Sequence, residues 1–209
     1  MATVGAPLDG IEVRIDPRGE LQVRADSVML GYWNRPEDTA KTIDAQGWLG
    51  TGDQATIEHG RLRIVGRVKE IIVTSTGEKV AAADVEQAIL IDPLFEQALA
   101  VGEQRSFIGA IVVLNRARWA VLAAQLDLEP GHADRANTSA AHNVLIEHMK
   151  LAARALPHFA APRAVWVAGE PWTVENGMLT PTLKPKRNAL LARYAVQIEA
   201  LYTARARTT

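Results

Sequence analysis

A chain of 209 residues, 48% hydrophobic and 22% charged, can bury a core as one large domain or two small ones, and this composition argues against wholesale disorder. Its formal net charge of -1 gives no electrostatic reason for nucleic acid or an anionic membrane as main partner. The absence of cysteine excludes a disulfide scaffold, a thiolate metal site and a cysteine nucleophile, and fits a reducing cytosol. Met1 to Gly5 lacks the basic and apolar regions of a secretory signal, and the longest strongly apolar runs, such as Ile108 to Leu114, are far too short to span a bilayer.

In chain order, residues 1–66 read as β-rich. Ile11 to Ile15 and Leu21 to Arg24 alternate apolar with polar residues around the turn Pro17-Arg18-Gly19, which predicts a hairpin. Pro36 to Thr42 has the start of a helix, with proline in the first turn and acidic residues next. Gly47 to Asp53 reads as a glycine-punctuated loop holding one carboxylate. Gln54 to Glu58 and Arg61 to Val65 then flank His59-Gly60 as a second hairpin. Leu62 to Val65 runs into Gly66-Arg67-Val68-Lys69-Glu70, a charged joint that suits a boundary between domains better than a core.

Beyond the joint, Ile71 to Val73 is a strand that runs out into the polar loop Thr74 to Lys79. Ala82 to Leu90 is a helix ended near Asp92-Pro93. Phe95 to Val101 and Phe107 to Leu114 are strands, Arg116 to Leu126 a helix, and Glu129 to Asn137 a loop. His142 to Leu156 is an amphipathic helix, Ala164 to Ala168 a strand, and Asn188 to Tyr202 one terminal helix. That order makes the second part a small α+β unit and the whole chain α+β.

Asp53 sits in a loop where two glycines let the backbone come close to a ligand, and its carboxylate can accept hydrogen bonds from a sugar diol. Arg67 can donate to the same sugar. Each alone has a plainer reading, as a turn carboxylate and a solvated cation. Lys69 alone reads as a surface charge, and Thr76-Gly77 as a turn or a place where a narrow ligand passes the backbone. Asn176 to Arg187 reads as a long extended loop with two prolines and three cations just ahead of a helix. A lysine there can stabilise negative charge that develops during attack on a phosphate. The plainer reading is a solvated basic helix N-terminus, although the helix dipole disfavours cations at that end.

Gly31-Tyr32-Trp33-Asn34-Arg35-Pro36-Glu37-Asp38-Thr39, Trp48-Leu49-Gly50-Thr51-Gly52-Asp53 and the Gly-Arg...Gly-Glu...Glu run from Gly66 to Glu86 occur in order and at matching spacing. Together they resemble the adenylate-forming superfamily of acyl-CoA synthetases, peptide-synthetase adenylation domains and luciferases. The segment Leu179 to Arg187, with Phe95 to Ala98, Leu114-Asn115 and Glu175 to Gly177, is similar to the long-chain fatty acyl-CoA synthetases of that superfamily.

The resemblance implies a C-terminal portion of such a ligase: residues 1–66 the last β-subdomain of the large domain, 67–70 the hinge, and 71–209 the mobile C-terminal domain. It implies ATP, CoA and a carboxylic acid as small-molecule substrates, with Mg2+ held outside this segment. Asp53 and Arg67 would hold the ribose hydroxyls, Lys69 would be the hinge, and Thr76 and Gly77 would line the passage for the pantetheine arm. Lys186 would be the catalytic lysine of adenylation. The usual motif carries Ser-Gly where Lys184 and Pro185 stand, which leaves Lys184 as the alternative, while spacing from Thr182 favours Lys186.

The superfamily's Gly-rich phosphate loop lies upstream of anything in this chain, so the expectation is an inactive fragment whose partner is a missing N-terminal domain. Uncovered interdomain surface would favour self-association. A cytoplasmic setting, peripheral at the membrane, is expected. The competing expectations are a standalone non-catalytic binding module and an adenylating enzyme that loads a carrier protein.

Overall fold

In the computed structural model, which describes residues 3–125 and 136–203, the chain separates into two units, Met1–Ile71 and Ile72–Thr209. The first is a four-stranded antiparallel sheet in sequential order, β1 (Glu12–Ile15), β2 (Glu20–Arg24), β3 (Leu49–Glu58) and β4 (Arg61–Arg67), with one helix, α1 (Pro36–Thr42). The β3–β4 hairpin closes on His59 and Gly60 with φ of 50° and 73°, the paired left-handed conformation that matches strand twist in a two-residue turn. Leu21, Ala55 and Leu62 are the buried core, with Val13, Ile15 and Val23 packed against them.

The segment read as a glycine loop, 47–53, is mostly strand: β3 runs unbroken from Leu49 through Asp53. Its glycines do not break the ladder because they accompany bulges, with register shifts opposite Glu20/Gln22 and at Gln54/Ala55. Glycine inside a strand marks such irregularity. A 3-10 turn, Val68–Glu70, follows β4.

The second unit begins with the short pair β5 (Ile71–Val73) and β6 (Lys79–Ala81), the latter not anticipated from its three residues. Then follow α2 (Ala82–Leu90), β7 (Phe95–Val101), β8 (Gly109–Leu114), α3 (Arg116–Gln125), α4 (Ser139–Ala152), β9 (Ala164–Val167), α5 (Arg187–Arg193) and α6 (Ala195–Thr203). The sheet order is β7-β8-β9, antiparallel on one side of β8 and parallel on the other. Residues 107 and 108, read as strand, precede β8. The helix expected from His142 starts at Ser139, where the Thr138 hydroxyl accepts from the Ala141 N–H at 3.3 Å. Of the loop expected over 129–137, residues 129–135 lie outside the described residues.

Alternation along the strands sorts the core into two layers. Ala98, Ala100, Ala110, Val112, Val165 and Val167 face α2, α3 and α4 through Val85, Ile89, Trp119, Leu145 and Met149. Leu99, Val101, Ile111 and Val113 face Trp172, Leu190 and Leu201. Helices on both faces explain why β8 is a continuous apolar run, and each Val, Leu or Ile side chain so buried contributes about 1.5–3 kcal/mol.

Two expectations near the C-terminus are corrected. The single helix over 188–202 is two, because Tyr194 leaves helical geometry at φ -104°, ψ 18° and its hydroxyl accepts from the buried Trp172 indole N–H at 3.0 Å. The loop ahead of it is not extended. Leu179 bridges Pro185, the Thr180 N–H donates to the Lys184 carbonyl at 2.8 Å, and Leu183 takes φ 61°. Prolines at 181 and 185 remove donors without preventing this closure, since the closing donors are Thr180 and Leu183. The fold class is α+β. No described helix is long and apolar enough to cross a membrane.

Candidate functional site

In the first unit the β3–β4 register sets Asp53 opposite Arg67, and their side chains meet with Arg67 Nε 3.0 Å from Asp53 Oδ1. Arg67 Nη1 also donates to the Thr51 carbonyl at 3.3 Å. The chain reaches this arrangement through Gly52, whose φ of 75° is a conformation that side chains rarely adopt. Three bonds fix that bend. The Gly52 N–H donates to Glu20 Oε1 at 2.8 Å, the Thr51 hydroxyl donates to the Leu21 carbonyl at 2.8 Å, and the Asp53 N–H donates to the Thr51 hydroxyl at 3.1 Å. Glu20 was not singled out from sequence, and its distance of 32 residues from Gly52 explains why local patterning carries no sign of it.

Arg67 is 59% and Asp53 29% exposed at the side chain. A pair so open contributes at most about 1 kcal/mol to stability, so its geometry matters more for what it presents. A carboxylate keeps acceptor sites beyond the one used, and a guanidinium keeps donors. That combination suits a vicinal diol. Thr51 and Gly52 also line an open cleft of about 800 Å³ with Glu20, Tyr32, Trp48 and Val68. Lys69 lies within the 3-10 turn just after β4.

In the second unit, Thr76 and Gly77 form the tip of the β5–β6 turn. Thr74, buried to 4% exposure, is the hub: its hydroxyl lies 2.8 Å from that of Thr76 and accepts from the Glu78 N–H at 3.1 Å. Gly77 has φ 85°, and a Cβ there would meet nothing within 4 Å, so conformation and not crowding requires glycine. The stem is tied to the loop after β7, because Ser75 N–H donates to the Arg105 carbonyl at 2.9 Å and Gln104 N–H to the Val73 carbonyl at 2.8 Å. Thr76 and Gly77 themselves are exposed.

Lys186 is the exposed residue at the head of α5. Its N–H donates to the Met178 carbonyl at 2.8 Å, and its carbonyl accepts from Leu190 N–H at 3.0 Å. Lys184 belongs to the preceding turn, its N–H donating to the Thr180 hydroxyl at 3.1 Å. Arg187, read as the third cation of a basic loop, is the first residue of the helix and pairs with Glu86 of α2 at 2.7 Å. The basic helix N-terminus that looked misplaced therefore carries its own counter-charge. Among the described residues, no group of three or more His, Cys, Asp or Glu side chains could hold a metal ion. Asp53 and Arg67 are thus brought together, while Thr76, Gly77 and Lys186 occupy separate segments of the second unit.

A model of the AMP-binding enzyme C-terminal domain matches residues 69–206. The chain belongs to that family. Long-chain-fatty-acid–CoA ligase FadD15 of Mycobacterium tuberculosis is 34% identical to this AMP-binding enzyme domain chain over 206 residues, which are 97% of the chain and 34% of the ligase. Long-chain-fatty-acid–[acyl-carrier-protein] ligase AEE15 of Arabidopsis thaliana is 28% identical over 97% of the chain and 29% of its own length. Among solved structures, the A-PCP didomain of carboxylic acid reductase from Segniliparus rugosus in complex with AMP superposes with a TM-score of 0.80 at 27% identity, over 97% of this chain and 29% of that one. The chain spans about a third of the length of the curated relatives it matches.

Proposed function

We propose that this chain forms part of an ATP-dependent, AMP-forming acid–thiol ligase acting on a long-chain fatty acid. In the first half-reaction the carboxylate attacks the α-phosphorus of ATP, forming the acyl-adenylate and releasing pyrophosphate. In the second, a thiol attacks the adenylate carbonyl, forming the thioester and releasing AMP. Residues 1–66 are assigned to the end of a large domain, 67–70 to the hinge and 71–209 to the mobile domain.

The observation that carries this reading is the Asp53–Arg67 pair, an acceptor and a donor 3.0 Å apart, one midway along β3 and the other at the end of β4, suited to the ribose hydroxyls. Lys186 supplies positive charge to the phosphate oxygens as the pentavalent arrangement develops. Thr76 and Gly77 flank the approach of the thiol arm, where the low profile of a glycine lets a narrow ligand pass. ATP enters as its magnesium complex, and no ligand of that cation is assigned among the described residues. An acid of this class partitions into bilayers, so a cytoplasmic enzyme peripheral at the membrane is the proposed setting. Leu30 and Trp33, 104% and 90% exposed, are apolar surface that self-association of this chain could use.

The test uses the full-length gene product. Lys186→Ala should lower ATP–pyrophosphate exchange by about 100-fold or more, the scale of losing one electrostatic group at a developing charge, while thioester formation from supplied acyl-adenylate is largely spared. Unchanged exchange would remove Lys186 and point to Lys184. Lys69→Pro should do the reverse, sparing adenylation and impairing thioester formation. A second reading concerns the acceptor. The similarity to a relative from Arabidopsis thaliana named as a fatty-acid–[acyl-carrier-protein] ligase supports a carrier protein as the alternative acceptor, and a thioester assay with each acceptor separates the two.

A further inference from the structure

The proposed catalytic lysine sits one residue from a charge cluster that the reaction itself does not use. Glu86, in the middle of α2, accepts two hydrogen bonds at Oε1, from the Ala100 N–H of β7 at 2.8 Å and from Arg187 Nη1 at 2.7 Å. Arg187 Nη2 donates in turn to the Ala100 carbonyl. β7 is an edge of its sheet, and an edge strand leaves backbone donors and acceptors unpaired. At Ala100 the carboxylate takes the N–H and the guanidinium takes the carbonyl. A helix, a strand edge and the first residue of α5 are thereby closed into one ring of hydrogen bonds. Both side chains are only 20% exposed.

We propose that Glu86 is a positioning residue for Lys186, acting through Arg187. This rests on the reading of Lys186 given above. Adjacent Cα atoms are about 3.8 Å apart, so fixing Arg187 fixes the root of the Lys186 side chain. The Met178 and Leu190 backbone bonds hold Lys186 from its other sides. The carboxylate also offsets the cost of placing cations at the positive end of a helix. A lysine acting as a point charge lowers a barrier only when it is already in place as charge develops. Glu86 therefore acts on the adenylation step and not on the affinity for ATP.

The full-length protein is assayed with Lys186→Ala, Glu86→Ala and Glu86→Gln, each by ATP–pyrophosphate exchange and by thioester formation from supplied acyl-adenylate. Glu86→Ala should lower the kcat of exchange about 10- to 100-fold, the effect of misplacing a catalytic group by about 1 Å, with KM for ATP unchanged and thioester formation within about threefold. Glu86→Gln keeps the acceptor oxygen and should recover part of that loss. Should Glu86→Ala not fold, Arg187→Lys, which keeps the charge and loses the fork, carries the same expectation. If Lys186→Ala depresses exchange but the Glu86 and Arg187 variants do not, the positioning role is overturned while the Lys186 reading stands. Equal loss in both half-reactions also overturns it, because a general defect in folding lowers the amount of active enzyme in both, and a raised KM for ATP overturns it, because Glu86 would then act on substrate binding. If Lys186→Ala leaves exchange unchanged, the Lys186 reading falls and takes this inference with it.

Discussion

At the scale of single residues, the groups that matter are held by neighbours far away in sequence. Asp53 depends on Glu20 gripping the Gly52 amide, and the head of α5 depends on Glu86. A different kind of residue effect is expected at His142. It is half-buried on α4, with its Nε2 3.2 Å from Asn137 Oδ1, and burial holds its pKa below the ordinary 6.5. The folded state thus disfavours the imidazolium. Above the unfolded value both states are neutral and His142 costs nothing. As pH falls, the unfolded chain takes the proton first, and stability is lost as pH approaches the folded value. Between about pH 7.5 and about pH 5.5, the fall in Tm should be smaller for His142→Gln than for the unaltered protein. An identical fall would remove His142 as the source.

At the scale of elements, the break between α5 and α6 is a packing decision. The Trp172 ring, 2% exposed, needs an acceptor for its indole N–H, and Tyr194 supplies it by stepping out of the helix. Tyr194→Phe should therefore cost about 1–3 kcal/mol, the penalty for stranding a buried donor, read by chemical denaturation. Loss below about 0.5 kcal/mol would mean that water replaces the hydroxyl. This break was not legible from the apolar stripe of residues 188–202, which continues through Tyr194 as if nothing happened. Periodicity reports which face is buried, not which polar atom must be answered. The same limit hid the strand at 49–53, where glycines suggested a loop but accompany bulges in β3, and the closed turn at 180–184. What was legible were the elements with strong periods and plain ends: the two hairpins, α1, α2 and the continuous run of β8. The pairing of Asp53 with Arg67 was foreseeable only as a shared ligand. Their contact follows from a bulged register that no local pattern specifies.

At the scale of the whole molecule, the two units differ sharply in what holds them. The second has two apolar layers around a mixed sheet, whereas among its described residues the first has one small cluster, Leu21, Ala55 and Leu62, with Trp48 buried outside it. A single small core of that sort supplies at most about 3–5 kcal/mol. Residues 72–209 expressed alone should therefore unfold in one cooperative transition by circular dichroism, while residues 1–71 alone should show a weak, broad transition or none. A sharp transition in the shorter piece would mean that its edges contribute more than its core.

The ring through Glu86, Arg187 and Ala100 also limits how such a chain can change over generations. Its two charged members are 101 residues apart, and replacing either one alone leaves the other charge poorly solvated, a loss of up to about 3–5 kcal/mol. That is a large share of the about 5–15 kcal/mol by which folded proteins exceed their unfolded states. Viable lineages should then alter these positions together, by a swap or by a shared move to uncharged partners. Selection would see them as one heritable unit spread over two distant codons.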